Sequence, residues 1–202
     1  MISRRREDHL YTHCYCEENI YKLLQKVVDQ RISGDECEWY AVVISACHLG
    51  PGAKVLPGKW TAGGFVPIDC TRNGGSCTWD YHVIAVERKT TPGTSFVFDF
   101  DTGLTFPCPF PEYILRSFGR SPQACFRVVP AQEYLDTMAS DRSHMMKPGG
   151  TGGGYSMVPP PYAPIRGPKA TEANNLASFI NMDNVDFAGR VMTRDEFFKF
   201  GA

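Results

Sequence analysis

The chain has 202 residues, 43% of them hydrophobic, and a formal net charge of −1. That length suits one domain with a full apolar core, so residues 1–202 are read as a single unit. A near-neutral chain with no basic stripe and no long run of like charge does not suit nucleic acid or an anionic membrane as its main partner.

The start, Met-Ile-Ser-Arg-Arg-Arg-Glu-Asp-His, lacks the apolar core of a signal peptide. No segment approaches the roughly 20 apolar residues of a membrane span. The expectation is a monomer of the cytoplasm or nucleus. Eight cysteines, at positions 14, 16, 37, 47, 70, 77, 108 and 125, have irregular spacing and no Cys-x-x-Cys. Without a secretory signal they read as reduced thiols. A zinc site from Cys14, Cys16, Cys70 and Cys77 with His13 or His48 is the weaker alternative, because paired-ligand spacing is missing.

In chain order, the first element is a helix opening at Cys16. Glu17 and Glu18 follow, acids where a first turn favours them. Ile20, Leu23, Leu24, Val27 and Val28 then form a helical stripe that breaks near Ser33-Gly34. A thiol at a helix N-terminus feels the positive end of the macrodipole, which favours the thiolate. Cys14 lies outside the helix and is the weaker nucleophile.

Trp39–Ser45 reads as a buried strand, and residues 48–78, rich in glycine and proline, as an irregular excursion. Trp79–Glu87 and Thr94–Phe100 read as a hairpin around the polar turn 88–93. If its centre lies between Thr90 and Thr91, His82 faces Asp99, with Cβ atoms about 4.5–5.5 Å apart. Tyr81, Val83, Ala85, Phe96, Phe98 and Phe100 then share an apolar face, while Ile84, Val86 and Val97 lie with His82 and Asp99 on the other. The helix stripe is expected on the His82 face, bringing Cys16 to the histidine. A histidine can take up and return a proton, and a carboxylate can orient it, so Cys16, His82 and Asp99 are the candidate catalytic trio.

Cys125–Pro130 reads as another strand and Gln132–Ala139 as a short helix. Residues 147–172 read as a long Gly/Pro-rich loop with no phosphate-loop signature. Within it, Pro-Pro-Pro-Tyr (159–162) is expected to pack across the surface. Thr193-Arg-Asp-Glu196 is a capping box opening a last helix.

Cys-Tyr-Cys-Glu-Glu-Asn-Ile-Tyr-Lys-Leu (14–23), Trp-Asp-Tyr-His-Val (79–83), Phe-Asp-Phe-Asp-Thr (98–102), Phe-Pro-Cys-Pro-Phe (106–110), Ser-Asp-Arg-Ser-His-Met (140–145) and Pro-Pro-Pro-Tyr (159–162) occur in an order that resembles the protein N-terminal glutamine amidohydrolase family. The resemblance spans most of the chain. It departs at Ala46-Cys47, over 48–78, and in the glycine run at 149–154.

The resemblance implies an α+β fold with a transglutaminase/papain-like core: a central, mostly antiparallel sheet with helices packed on it and the cysteine at a helix N-terminus. It implies hydrolytic deamidation of an N-terminal glutamine to glutamate, feeding degradation that reads N-terminal residues. It assigns Cys16 as nucleophile, His82 as base and Asp99 as orienting acid, with no metal or organic cofactor. The implied partner is a protein or peptide with a free N-terminal glutamine. Glu17, Glu18, Asp80 and Asp101 are candidates to hold its α-amine. A related cysteine peptidase or acyltransferase, and a non-catalytic peptide-binding module, are the alternatives.

Overall fold

The computed structural model describes residues 2–30, 37–46, 66–68, 75, 77–89, 94–119, 124–147 and 154–202. The helix break at Ser33-Gly34, most of 48–78, residues 90–93 of the hairpin turn and most of the glycine run lie outside these residues.

In chain order the elements are α1 (Cys16–Asp29), β1 (Cys37–Ala46), β2 (Val66–Ile68), β3 (Cys77–Trp79), β4 (Tyr81–Lys89), β5 (Phe96–Phe98), β6 (Cys108–Pro109), α2 (Phe110–Phe118), β7 (Ala124–Pro130), α3 (Ala131–Thr137), β8 (Ala139–Ser140), β9 (Ile165–Arg166), α4 (Leu176–Ile180), β10 (Arg190–Thr193) and α5 (Arg194–Gly201). The fold is α+β. Its six-stranded sheet has the order β10-β7-β1-β4-β5-β6, every pairing antiparallel. Two small ladders, β2-β3 and β8-β9, stand apart from it. None of the described helices is long and apolar enough to cross a membrane.

Helices cover both faces of the sheet, so β1, β4 and β7 are apolar on both sides rather than alternating. On one face Ile20, Leu23, Leu24 and Val27 of α1 pack with Ala41, Val43, Tyr81, Val83, Ala85 and Phe98, joined by Tyr134 of α3 and Phe179 of α4. On the other, Val42, Ile44, Ile84, Val86 and Val97 meet Phe110, Tyr113, Ile114 and Phe118 of α2 and Phe197 of α5. The expected placement of α1 on the His82 face is therefore corrected. That face belongs to α2 and α5, and α1 lies on the broader aromatic face of Tyr81 and Phe98.

The hairpin register is also corrected. Ala85 pairs with Phe98, Val86 with Val97 and Glu87 with Phe96. This is two residues from the expected alignment and sets Asp99 level with Ile84. A two-residue shift leaves every side chain on its face, so the alternation holds while the pairing moves. Strand β5 ends at Phe98 because the Asp99 carboxylate accepts the backbone N–H of Asp101 at 2.8 Å, turning the chain. Pairing with β5 thus stops at Ala85.

The capping box forms as expected, with Thr193 and Glu196 bonding reciprocally. Pro160 is buried and its carbonyl accepts from Arg142, so the proline segment does pack across the protein. Among the described cysteines, 14, 16, 37, 77 and 108 are thiols, whereas Cys125 is disulfide-bonded. The reading of all eight as reduced thiols is corrected there, since spacing along a chain does not reveal which thiols the fold brings together. Arg127 of β7 is fully buried and donates to the carbonyls of Phe179, Asn181, Asn184, Phe187 and Ala188. It ties the 179–188 segment to the sheet with no carboxylate partner among the described residues.

Candidate active site

His82 is the second residue of β4 and points to the α2 face. It is 2% exposed, and so is Asp99. The His82 Nε2 to Asp99 Oδ1 distance is 2.9 Å, a diagonal contact made possible because Asp99 leaves the strand. Asp99 accepts two further hydrogen bonds, from Asp101 N–H to Oδ1 and from the Tyr113 hydroxyl to Oδ2 at 2.7 Å. Burial works to raise the Asp99 carboxyl. The charge and hydrogen bond of His82, with the other two donors, overcome it and hold Asp99 below the usual carboxylate range.

Burial works to lower His82, but the Asp99 carboxylate outweighs it, and the imidazole ends above its ordinary value. With Nε2 committed to Asp99, Nδ1 is buried and has no hydrogen-bond partner among the described residues. An unpaired base nitrogen on a fixed ring is costly to bury and is what a general base requires. The Trp79 ring lies 4.9 Å from the His82 ring and shields it from water.

Cys16 is the first residue of α1 and is 6% exposed. Its thiol donates to Glu17 Oε2 at 3.8 Å. The sulfur stands beside β4, where the backbone N–H of Val83, the residue after His82, favours the thiolate. The helix-terminus argument for an acidic thiol is nevertheless corrected. Burial, then the charges of Glu17 and Asp101, push Cys16 well above the ordinary thiol value. The dipole is worth about 1 kcal/mol near a surface, whereas desolvation of a buried anion costs several. The resting thiol is therefore protonated and needs a base.

Tyr113 and Arg142, which the sequence left without a role, complete the surroundings. Tyr113 comes from α2, whose stripe Phe110, Tyr113, Ile114 and Phe118 was the available signal. Glu18 is fully buried and forms a bidentate pair with Arg142, at 2.7 and 2.9 Å. Arg142 has a left-handed backbone, φ 63°, and also donates to the carbonyls of Pro160 and Tyr162. This pins residues 142 and 160–162 over the N-terminus of α1.

Asp101, half-buried, accepts the Tyr11 hydroxyl at 2.6 Å, and half-buried Asp80 accepts the N–H of Tyr81. The only set of three metal-competent side chains among the described residues is His82, Asp99 and Asp101. Cys14, Cys16 and Cys77 form no such set among the described residues, and Cys70 and His48 of the zinc alternative lie outside them.

A sequence model of the family described as N-terminal glutamine amidase matches residues 11–55 and 61–201. The protein N-terminal glutamine amidohydrolase of Homo sapiens is 36% identical over 98% of this chain and 90% of its own length. That of Danio rerio is 35% identical over 94% and 88%, and that of Caenorhabditis elegans 32% over 96% and 96%. The chain belongs to the N-terminal glutamine amidase family. The match takes in Cys16, His82 and Asp99, and also most of the 48–78 segment that the short motifs do not reach. Within this amidase-family fold, His82 and Asp99 are brought together directly, and Cys16 is set beside the strand that carries His82.

Proposed function

We propose that this chain hydrolyses the side-chain amide of an N-terminal glutamine, leaving glutamate and releasing ammonia, with Cys16 as nucleophile on a transglutaminase/papain-like core. The observation that carries the reading is the buried His82, with Nε2 on Asp99 and Nδ1 unpaired among the described residues, on the strand beside which the protonated Cys16 thiol stands at its helix N-terminus. Family membership supports the substrate class.

The chemistry follows from these groups. His82 Nδ1 takes the Cys16 proton as the sulfur attacks the glutamine δ-carbon. The first N–H groups of α1, that of Cys16 among them, have no acceptor within the helix and suit the developing oxyanion. The imidazolium, stabilised by Asp99, gives its proton to the departing ammonia. A γ-glutamyl thioester remains, and water deprotonated by His82 hydrolyses it, which restores the thiol. Each step uses a proton donor or acceptor of this chain, and none needs a cofactor.

The expected setting is the cytoplasm or nucleus, with the monomer as the working unit, where glutamine-to-glutamate conversion feeds degradation that reads N-terminal residues. The test is ammonia release from a Gln-initiated peptide by the wild type and by Cys16→Ala. Release by the wild type alone supports the reading. Release that survives Cys16→Ala, or none from either, overturns it.

A further inference from the structure

Beside the thiol lies a second group of unsatisfied polar atoms. Glu17 is fully buried, and its Oε2 accepts from the Tyr81 hydroxyl at 3.1 Å and from the Cys16 thiol. Among the described residues its Oε1 has no hydrogen-bond partner, and it faces His144 Nε2 at 3.5 Å. The His144 side chain is 6% exposed, and neither of its ring nitrogens makes a hydrogen bond to a described residue. Buried orphans of this kind are rare, and two facing each other mark a place for a ligand that donates.

We infer that Glu17 and His144 form the anchor for the substrate's free α-ammonium, and so select an N-terminal over an internal glutamine. This rests on the proposed amidase reaction at Cys16. An ammonium has three donors and no acceptor. One nitrogen can stand about 2.8 Å from both Glu17 Oε1 and His144 Nε2, the spacing of a charge-assisted hydrogen bond. The reach is right. Glu17 Oε2 is 3.8 Å from the Cys16 sulfur, which leaves Oε1 within about one extended glutamine side chain, roughly 5 Å from α-nitrogen to δ-carbon by standard bond lengths. An acylated α-nitrogen carries no charge and sets a carbonyl oxygen nearby, against the carboxylate.

The other acids near the thiol are less suited. Glu18 is held by Arg142 in a bidentate pair, and Asp99 already has three donors. Asp101 and Asp80 are half-buried, and each already accepts a protein donor. Electrostatics fit as well. Burial raises the Glu17 carboxyl to about 7 and lowers His144 to about 4. At neutral pH the imidazole presents a lone pair, and an arriving ammonium supplies the counter-charge that Glu17 lacks.

The test compares a Gln-initiated peptide with the same peptide whose α-amine is replaced by hydrogen. It measures kcat/KM for wild type, Glu17→Gln, His144→Gln and Asp101→Asn. The expected result is a wild-type preference for the amine that falls at least 30-fold in Glu17→Gln and at least 10-fold in His144→Gln, mostly through KM, and persists in Asp101→Asn. Should the isosteric Glu17→Gln fail to fold by circular dichroism, His144→Gln reads the same ratio. An unchanged ratio in the folded Glu17 and His144 variants, or its collapse in Asp101→Asn alone, overturns the anchor. Wild type that releases no ammonia from the Gln peptide would instead sink the amidase reading itself.

Discussion

Replacing Asp99 with asparagine isolates the charge behind His82. The amide oxygen can stand at the Oδ1 position and accept from His82 Nε2 and from the Asp101 N–H, now at 2.9 and 2.8 Å. The amide NH2 then meets the Tyr113 hydroxyl, which can turn from donating to accepting. No buried group is left unpaired, so the fold should lose no more than about 1–2 kcal/mol, the scale of one altered hydrogen bond. Catalysis loses more. The imidazolium formed during thiol attack is 2% exposed and would have no carboxylate beside it. Breaking a buried ion pair costs about 3–5 kcal/mol. At about 1.4 kcal/mol per decade, kcat should fall by roughly two to four orders of magnitude.

The pH profile adds a check that simple damage would not reproduce. In the wild type Asp99 is the main group that outweighs burial and raises His82; without its charge only the smaller pull of Asp101 is left against burial, and His82 falls. The acid limb of kcat/KM should therefore move to lower pH while the plateau drops. The assay is coupled ammonia release from a Gln-initiated peptide between pH 5 and 9, beside a thermal melt. A folded Asp99→Asn with kcat within threefold of wild type, or with its acid limb moved upward, would mean that the Asp99 charge does not support the His82 imidazolium.

Cys14→Ala should retain most activity while Cys16→Ala abolishes it, because Cys14 precedes the helix on a left-handed residue; equal turnover numbers from both would contradict this. Arg142→Met should destabilise the fold by about 3–5 kcal/mol, since it leaves the fully buried Glu18 carboxylate unpaired, and urea unfolding measures it. Glu17→Gln should gain stability on wild type as pH rises. The folded-state carboxyl is raised to about 7 from 4.5, so wild type loses about 3 kcal/mol between those values and the amide loses nothing. Denaturation of both proteins at pH 4.5 and 7.5 reads that difference; a constant gap would contradict it.

Much of the site was legible because it rests on strong local patterns. The α1 stripe from Ile20 to Val28 fixed the helix and its start at Cys16. Alternation in Tyr81–Val86 and Phe96–Asp99 assigned His82 and Asp99 to one face. The register was not legible, because a shift by two residues satisfies the same alternation. Nor was the face that receives α1. Both sides of β4 are apolar, and the choice depends on α2, whose stripe at Phe110, Tyr113, Ile114 and Phe118 went unread.

The state of the thiol depends on tertiary burial and on the inward turn of Glu17, neither of which a first-turn acid reveals. Glu18 and Arg142 are 124 positions apart and meet only in the fold. The same holds for His144, read in the sequence as part of a motif, which the fold carries to within 3.5 Å of Glu17.

If Cys16, with His82, converts an N-terminal glutamine to glutamate by hydrolysis, the new carboxylate takes one oxygen from water. Mass spectrometry of a Gln-initiated peptide incubated in 18O-labelled water tests it most directly, with N-acetylated and Asn-initiated peptides and the Cys16→Ala protein in parallel. The expected result is an amide-to-acid mass change with one 18O in the new carboxylate, confined to the free Gln peptide and absent with Cys16→Ala. Conversion of the acetylated or Asn peptide at a comparable rate, or labelled product from Cys16→Ala, would contradict it.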